Sequence, residues 1–409
     1  MPDWISLPRE IRDLILEYFV TLDGIAKHAS ISKEWRDVIE KKVFHQLRIK
    51  RSNELVGLDW FNNRHRSLVK HIWLDIELPS YTCQDCCALW ADIPHDKNLE
   101  TIKYNSFCLF YILSTWPAQQ DLTLEINIYS PSDSQHWFKG HYFGAPGEDF
   151  ELQEDVLPFS CHGLTPVDRP VWANIVLPNI KNVKSITLFE EFNELHYPVI
   201  HGWYRDLGHT LPIGPFDRPD SQLLAAPFAM KSLELENLSI SFMVDAFDFF
   251  EACQPDWRWK QLRTLTLTSR TISSETAWDE PKKIDTLLKI AARFAMRMPE
   301  LKSFTLWNGS FQEACAFTYR KHQENASITW QATWESQLQP EVCSAWNKVA
   351  CEYPDVQCMF KVENKKTIDL TQIKSHGDAI WHFGLNHVVD AVSLKQIRLE
   401  NRVHWTEFP

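Results

Sequence analysis

The closest cysteine cluster in the chain consists of Cys83, Cys86 and Cys87, spaced as Cys-x-x-Cys-Cys. Thiolates at such a spacing can ligate zinc, which in structural sites takes a tetrahedral set of Cys and His ligands, usually as two pairs. The nearest further candidates along the chain are His95 and Cys108, and their spacings fit no common zinc-finger pattern. The sequence therefore favours ordinary thiols at the end of a strand, with a zinc site as the alternative.

No sequence pattern for covalent or phosphoryl-transfer catalysis is present. The chain has no Gly-x-Ser-x-Gly nucleophile elbow and no glycine-rich phosphate loop. Histidines that lie among aromatic residues are scattered and are expected to be hydrogen-bonding loop residues: His141, His162, His196, His201 and His209. A local acidic run is expected to be a solvated face: Glu148, Asp149, Glu151, Glu154 and Asp155. We predict a protein that is not an enzyme, with no catalytic residue, no cofactor and no metal.

The charge of the chain argues against nucleic acid and anionic membranes as partners. The formal net charge is −12, with 42 Lys and Arg against 54 Asp and Glu. Residues 1–75 hold 13 basic and 11 acidic residues, so +2, and the remainder holds 29 and 43, so −14. A basic polyanion-binding surface is therefore not expected on the larger part of the chain.

The sequence carries no sign of secretion or of a membrane span. Arg9, Glu10, Arg12 and Asp13 interrupt any apolar segment of signal-peptide type near the N-terminus. No uncharged run reaches the roughly 18 residues that a membrane span needs. We therefore expect a cytoplasmic or nuclear protein whose ten cysteines are reduced thiols.

The N-terminal region has more apolar surface than its short predicted helices can bury among themselves. The first helix has one apolar face, made by Leu7, Ile11, Leu14, Ile15, Tyr18 and Phe19. Ser6 is placed to cap this helix, and Pro8 suits its first turn. A short helix is predicted at 23–29, followed by a longer one from Ser32 through Trp35, Ile39 and Val43 to Leu47. Some of this apolar surface is expected to bind a partner.

The order and spacing of these residues resemble an F-box. The resemblance covers residues 5–48, about a tenth of the chain. It rests on Leu7-Pro8-x-x-Ile11-x-x-Leu14-Ile15-x-x-Tyr18, on Ile31-Ser32-Lys33-Glu34-Trp35-Arg36-x-x-Ile39, and on Phe44 and Leu47. In two places the chain departs from the family pattern. The second helix is poorer in leucine, and Ser32 stands where the family often has Cys.

The resemblance implies a three-helix domain that binds the Skp-type adaptor of a cullin–RING (SCF) ubiquitin ligase and, through it, the cullin. The adaptor-binding residues that it implies are Leu7, Pro8, Ile11, Leu14, Ile15, Ile31, Trp35 and Ile39. Phe44 and Leu47 are expected to join this domain to the rest of the chain. Adaptors of this type are generally acidic, so the mildly basic N-terminal region would raise the rate of encounter.

The remainder of the chain alternates predicted strands with predicted helices. Strands are expected at 68–79 and 99–104. Four later strands share a frame of apolar, Lys or Arg, Ser or Thr, then apolar-x-apolar, at 183–188, 230–235, 262–267 and 301–306. Helices are expected at 242–250 and 284–298, the second stopped by Pro299. This alternation is typical of leucine-rich-repeat-like stacks with parallel strands.

The spacing of the shared frame is irregular for such repeats. The equivalent residues Ile186, Leu233, Leu265 and Phe304 are 47, 32 and 39 positions apart, whereas regular leucine-rich repeats run roughly 20–29 residues. The stretch at 291–309 is also similar to an uncharacterised domain of fungal F-box proteins, and 68–83 is similar to a segment of F-box proteins from filamentous fungi. We therefore predict a degenerate array.

The predicted fold class is α/β, with a three-helix F-box, an irregular leucine-rich-repeat-like array and a C-terminal α+β cap. The predicted domains are 1–50 for the F-box, 51–67 for a connector, 68–310 for the array and 311–409 for the cap. The array contains long insertions at 130–176 and 190–228. The cap is expected to hold a hairpin of 314–319 with 328–334, a helix at 341–352, a strand at 356–362, and two helical patterns within 373–401.

Three functions remain open beside the main one. We expect a non-catalytic substrate receptor of an SCF ubiquitin ligase that binds an unknown protein target through its C-terminal body. Alternatives are an adaptor-bound scaffold outside a ligase, the zinc protein above, and a ligand-binding module that uses aromatic residues of the two insertions. Those aromatic residues are Trp137, Phe138, Tyr142, Phe143, Phe150, Tyr197, Trp203, Tyr204 and Phe216.

Overall fold

A computed structural model gives the fold. It describes residues 4, 7–19, 24–50, 52–80, 95–117, 122–132, 177–179, 183–190, 221–323, 325–351, 359–365, 367–389, 394 and 397–398. The chain divides into two compact units, the first drawn from Met1–Ser80 and Asp96–Pro131 and the second mainly from Val183–Pro409. Both units mix helices with parallel strands, so the predicted α/β class is confirmed. None of the described helices combines the length and apolar character needed to cross a membrane.

The first unit contains a small parallel sheet and helices. Its strands are β1 (Gln46–Ile49), β2 (His71–Glu77) and β3 (Thr123–Tyr129), in that spatial order. Its helices are α1 (Arg9–Phe19), α2 (Lys33–Val43), α3 (Ser52–Gly57), α4 (Asn63–Leu68) and α5 (His95–Ser114). Short 3₁₀ helices lie at Ile25–Ser30 and Leu58–Trp60. Residues 51–67, expected to be a connector, thus carry helices of the first unit.

One buried carboxylate stabilises the small sheet. Asp75 on β2 is almost fully buried and accepts hydrogen bonds from Arg48 Nε on β1 at 2.9 Å and from its own-strand neighbour Trp73 Nε1 at 2.7 Å. A buried charge lowers stability unless it is paired and hydrogen-bonded. The pair therefore fixes how β1 lies against β2.

The second unit is organised around a seven-stranded mixed sheet. Its strands are β4 (Ser185–Phe189), β5 (Asn237–Asp245), β6 (Thr264–Thr268), β7 (Ser303–Ser310), β8 (Glu313–His322), β9 (Asn325–Ala332) and β10 (Met359–Asn364). The spatial order is β10-β9-β8-β7-β6-β5-β4. Strands β4 to β7 are parallel neighbours in chain order, β7, β8 and β9 are antiparallel, and β10 is parallel to β9.

Helices cover both faces of this sheet. They are α6 (Ser221–Ser232), α7 (Ala246–Ala252), α8 (Ser274–Asp279), α9 (Pro281–Ala295), α10 (Pro340–Ala350) and α11 (His376–Phe383), with 3₁₀ turns at Leu177–Asn179 and Leu370–Gln372. Because side chains alternate along a strand, Phe304 and Leu306 of β7 enter the core with α6, α7, α9 and α10. Trp307 of β7 enters a second core with α11.

Most strands and helices predicted for the second unit are confirmed. Strands β4, β6 and β7, helix α9, the β8–β9 hairpin, helix α10 and strand β10 all lie at or near their predicted positions. In the first unit, strand β2 lies within the predicted 68–79. The insertions at 130–176 and 190–228 lie almost entirely outside the described residues, although α6 begins within the second one at Ser221.

One of the four framed strands was predicted wrongly. Residues 230–232 end helix α6 and 233–235 lie in the turn that follows it, and the strand that pairs with β4 and β6 is β5, from Asn237. At the basic position of the frame, directly before β5, stands Glu236, which forms ion pairs with Lys184 at 2.6 Å and Arg263 at 3.0 Å. A third base between those two would be repelled by both. An acid that pairs with both neighbouring bases thus stands where the frame predicted a base.

One further predicted strand is wrong because a short window hides a helical period, and one predicted helix starts later than expected. Residues 99–104, predicted as a strand, belong to the 20-residue helix α5, in which Ile102, Leu109 and Phe110 face the interior at helical spacing. The helix predicted at 242–250 starts later, at Ala246. There β5 continues to Asp245, whose side chain accepts the Phe247 N–H at 2.8 Å and so begins α7.

Candidate functional site

Helix α1 has two apolar faces, and one of them is turned inward. Leu16 is fully buried, and the ring of Phe19 meets that of Trp35 on α2 with centroids 4.9 Å apart. Trp4 packs against the same Trp35 ring at 5.5 Å. These contacts hold α1 on α2, so the inward face is occupied by the unit's own interior.

The other face of α1 is open. Its apolar side chains are spaced i, i+3, i+4 and i+7, the spacing of a single helical face. Their exposed fractions are 44% for Ile11, 61% for Leu14, 41% for Ile15 and 71% for Tyr18. Single exposed apolar residues are ordinary, whereas a continuous apolar row on one face is a candidate interaction surface. We call these four residues the α1 face.

A polar contact fixes the orientation of α1. Glu34 on α2 accepts hydrogen bonds from Trp4 Nε1 at 3.1 Å and from Arg12 Nη1 at 3.0 Å. Arg12 is on the inward side of α1, at helical spacing from Leu16 and Phe19. The Arg12–Glu34 ion pair is partly shielded from solvent, so it opposes rotation of the helix about its axis. The α1 face is thereby kept outward.

The segment before α2 brings a further apolar residue to the surface. A 3₁₀ helix begins after Gly24, whose φ of 68° suits a residue without Cβ. Ser32 then caps α2 by accepting the Trp35 N–H at 3.3 Å. Ile31 lies between these two helices and is exposed. The cap thus places Ile31 outside the apolar interior.

The structure separates the eight predicted adaptor-binding residues into three groups. Five are exposed: Pro8, Ile11, Leu14, Ile15 and Ile31. Leu7 and Trp35 are half-buried, and Trp35 is shared with the rings of Trp4 and Phe19. Ile39 is almost fully buried in the interior of the first unit. In the unbound chain, therefore, Ile39 contributes to the shape of the site and offers no free surface.

Phe44 and Leu47 contact later elements of the first unit. From the sequence, these two residues are expected to join the N-terminal helices to the rest of the chain. The Phe44 ring lies 5.3 Å from that of Phe61 and 4.7 Å from that of His65. Leu47 belongs to β1 and pairs in register with Ile72 of β2. Both residues thus connect α2 with the later helices and the sheet of this unit.

One exposed residue was predicted on the apolar face but not among the adaptor-binding residues, and one exposed row was not predicted. The single residue is Tyr18, whose i+7 spacing from Ile11 indicates that it shares the face. Helix α5 exposes Tyr104, Phe107 and Tyr111, and the last two rings lie 6.5 Å apart. Reading 99–104 as a strand concealed this second row, which a longer helical window would have revealed.

The helices next to α1 carry exposed basic residues, namely Lys27, Lys33, Arg36, Lys41 and Lys42. The residues that the structure describes contain no group of three or more His, Cys, Asp and Glu able to hold a metal ion. Cys83, Cys86, Cys87 and the histidines, acidic residues and aromatic residues singled out in the two insertions lie outside the described residues.

The described cysteines of the second unit include inert thiols. Burial raises the pKa of the Cys253 thiol to about 12, and burial together with the nearby charge of Glu313 raises the pKa of Cys315. A thiol reacts as the thiolate. These two side chains are therefore packing residues of the main core.

Comparison with known proteins assigns a family to the second unit only. No curated protein and no solved structure matches the chain significantly. A model of a family of unknown function (DUF6546) matches residues 176–390, which include all seven strands of the second unit and helix α11. The α1 face lies outside the matched region. By this match over half of its length, the chain belongs to the family of unknown function DUF6546.

Proposed function

We propose that the chain is the substrate-recognition subunit of an SCF-type cullin–RING ubiquitin ligase. The resemblance of residues 5–48 to an F-box motivates the proposal, and the exposed α1 face is the observation that carries it. In this role the chain has no residue in the bond-making step. It raises the effective concentration of a target lysine near the ubiquitin-charged carrier enzyme.

The contact surface for the Skp-type adaptor consists of Pro8, the α1 face and Ile31. Burying a Leu or Ile side chain contributes about 1.5–3 kcal/mol. Four such side chains (Ile11, Leu14, Ile15 and Ile31) that start about half exposed therefore contribute on the order of 4 kcal/mol before association costs. Leu7, Trp35 and Ile39 support the surface from beneath. The exposed bases nearby favour an acidic partner and raise the rate of association.

The body of the receptor is the second unit, an irregular leucine-rich-repeat-like array with its C-terminal cap. Parallel neighbours in chain order from β4 to β7 are what a stack of strand–helix repeats produces. Helices α10 and α11 then cover the two faces at its end. In this proposal the body presents an unknown protein target to the ligase.

Capture of the adaptor by the full-length chain tests the proposal. The double change Ile11→Asp and Leu14→Asp places charges on the α1 face, and we expect it to weaken capture of a purified Skp-type adaptor at least about tenfold. The matched control, Val56→Asp with Trp60→Asp, alters exposed apolar residues elsewhere in the same unit and should leave capture unchanged. Equal capture by both variants would remove the assignment of this surface.

A scaffold that binds the adaptor outside a ligase is the second candidate, and the exposed α1 face supports it equally. Capture of the adaptor together with a cullin distinguishes the two. A substrate receptor should bring down both proteins and lose both when Ile11 and Leu14 are changed. Capture of the adaptor without any cullin would favour the scaffold.

A further inference from the structure

The second unit contains a cavity lined by tryptophan rings. Its volume is about 300 Å³, and it lies between helices α8 and α9 and the segment that follows β9. Three tryptophans line it: Trp278 on α8, Trp330 on β9 and Trp334 just after β9. Tryptophan is the aromatic residue whose ring attracts cations most strongly. Trp330 belongs to the main core and Trp334 packs against it, whereas Trp278 is exposed.

The indole nitrogens of two of the three tryptophans are closed to an occupant of the cavity. The Nε1 atoms of Trp330 and Trp334 are buried, with no acceptor among the described residues. An occupant that touched either ring would therefore touch its carbon atoms, and Trp330 offers little surface because it is 3% exposed. Trp278 is 82% exposed and makes an open wall. An unpaired buried N–H lowers stability, so these rings are kept at a cost in stability.

The charges at the cavity are negative. Asp285 on α9 and Glu335 after β9 line it, and no Lys or Arg belongs to its described lining. Burial raises the pKa of Asp285; the charge of Lys289 lowers it and that of Glu341 raises it. A partly desolvated carboxylate beside aromatic rings favours a cationic occupant that brings little water with it.

We propose that this cavity binds a methylated ammonium group carried by a lysine side chain of a peptide. Each methyl group replaces one N–H donor of the ammonium while the charge is kept, so trimethyllysine has none of the donors that keep an ordinary lysine in water. The open wall at Trp278 leaves room for the peptide backbone, and the exposed Gln337 and Gln339 in the lining offer it amide donors and acceptors. The inference goes beyond the receptor role and does not depend on adaptor binding.

Calorimetric titration of the purified full-length chain tests the charge requirement. The probes are a short peptide with trimethyllysine, the same peptide with the neutral carbon isostere of trimethyllysine, and the same peptide with unmodified lysine. We expect trimethyllysine to bind at least about tenfold more tightly than the isostere, because the isostere keeps the shape and loses the cation–π attraction. The trimethyllysine peptide should also bind more tightly than the peptide with unmodified lysine. Equal affinity for trimethyllysine and its isostere would overturn the proposal.

A matched pair of exposed tryptophans tests the location. Trp278→Ala should weaken trimethyllysine binding at least about tenfold, whereas Trp60→Ala, at a position 84% exposed in the first unit, should not. Both positions are exposed enough to be changed with the fold intact, which circular dichroism verifies. Equal effects of the two variants would overturn the site. Tetramethylammonium that bound as tightly as the peptide would overturn the assignment to a peptide.

Discussion

Helices α1 and α9 have the same kind of sequence and opposite surroundings. Each carries a face of apolar side chains at helical spacing. In α9 that face is buried: Ile284, Leu287, Leu288, Ala291, Phe294 and Ala295 all enter the main core of the second unit. In α1 only Leu16 is buried, and the α1 face is left in solvent. Apolar spacing thus identifies a face, and does not show whether the chain itself covers it; in the proposed role the adaptor covers the α1 face.

The largest expected effect is the loss of stability when a leucine of α9 is shortened to alanine, compared with the same change on α1. Leu287→Ala on α9 leaves a cavity in the core, where the residue is fully buried, and should lower the free energy of unfolding by about 2–5 kcal/mol. Leu14→Ala on α1 should change it by less than about 0.5 kcal/mol, since the side chain is already in water. Urea denaturation of each variant measures the difference.

The contrast between the two helices would be wrong if Leu14→Ala lowered the free energy of unfolding as much as Leu287→Ala. That result would mean that Leu14 is buried in the unbound protein. An unchanged stability together with weaker adaptor capture would sharpen the contrast, because the same methyl groups would then serve binding alone.

A smaller effect is expected where a glycine lets two elements approach. A Cβ on Gly309 of β7 would lie 2.5 Å from the Cβ of Ala379 on α11 and 3.3 Å from the His376 Cα. Gly309→Ala should therefore lower the free energy of unfolding by about 1–3 kcal/mol through overpacking. Gly57→Ala in the first unit meets nothing within 4 Å and should be neutral or stabilising. Thermal unfolding compares them.

Restoring the lost space gives the control for this prediction. Combining Gly309→Ala with Ala379→Gly removes the colliding methyl group, so the pair should be more stable than the sum of the two single changes predicts. Strict additivity would show that contact with Ala379 is not the cause. Helix α11 would then be held on the sheet less closely than the structure indicates.

The smallest effect is expected at the partly exposed ion pairs of Glu236. The hydrogen bond from Lys184 lowers the pKa of Glu236 from its ordinary 4.5, with the charges of Lys184 and Arg263 acting in the same direction. This contribution to stability is therefore fully present above pH 4.5 and is lost as the pH falls through the lower folded-state pKa. Glu236→Gln should reduce the acid-side loss of stability, measured as melting temperature against pH.

Reversing the sign at the same position separates charge from shape. Glu236→Lys would stack three bases along the ends of β4, β5 and β6, so its melting temperature at neutral pH should fall below that of Glu236→Gln, and added salt should narrow the gap. A salt-independent difference would indicate a steric cause. The first unit offers an internal contrast, since its Arg48–Asp75 pair is buried and should respond little to salt.

Residues at the sheet show where prediction from sequence succeeds. Strands β6 and β7 were found because Leu265, Leu267, Phe304 and Leu306 alternate with polar residues, a pattern that each strand carries by itself. Strand β5 does not carry the full frame in its own sequence, because Glu236 stands at the basic position. Glu236 pairs there with Lys184 and Arg263 of the neighbouring strand ends. Such a pairing exists only once the strands have been brought together.

The candidate site divides in the same way. The row of Ile11, Leu14, Ile15 and Tyr18 is legible as one helical face, because a helix returns every third or fourth side chain to the same side. Ile39 is buried and Ile31 is exposed. This difference follows from how α2 packs, which the sequence pattern does not show. The tryptophan cavity was not predicted, because Trp278 and Trp330 are 52 positions apart.

The amino-acid sequence by itself determined the α/β class, the apolar faces and most of the strands of the second unit. These depend on the period of neighbouring side chains, which is a local property. Tertiary structure alone decided which apolar face stays in water, which position of the strand frame carries an acid between two bases, and which tryptophans line one cavity. Each of those outcomes depends on contacts between residues distant in the chain, and burial and pairwise charge have meaning only after those contacts form.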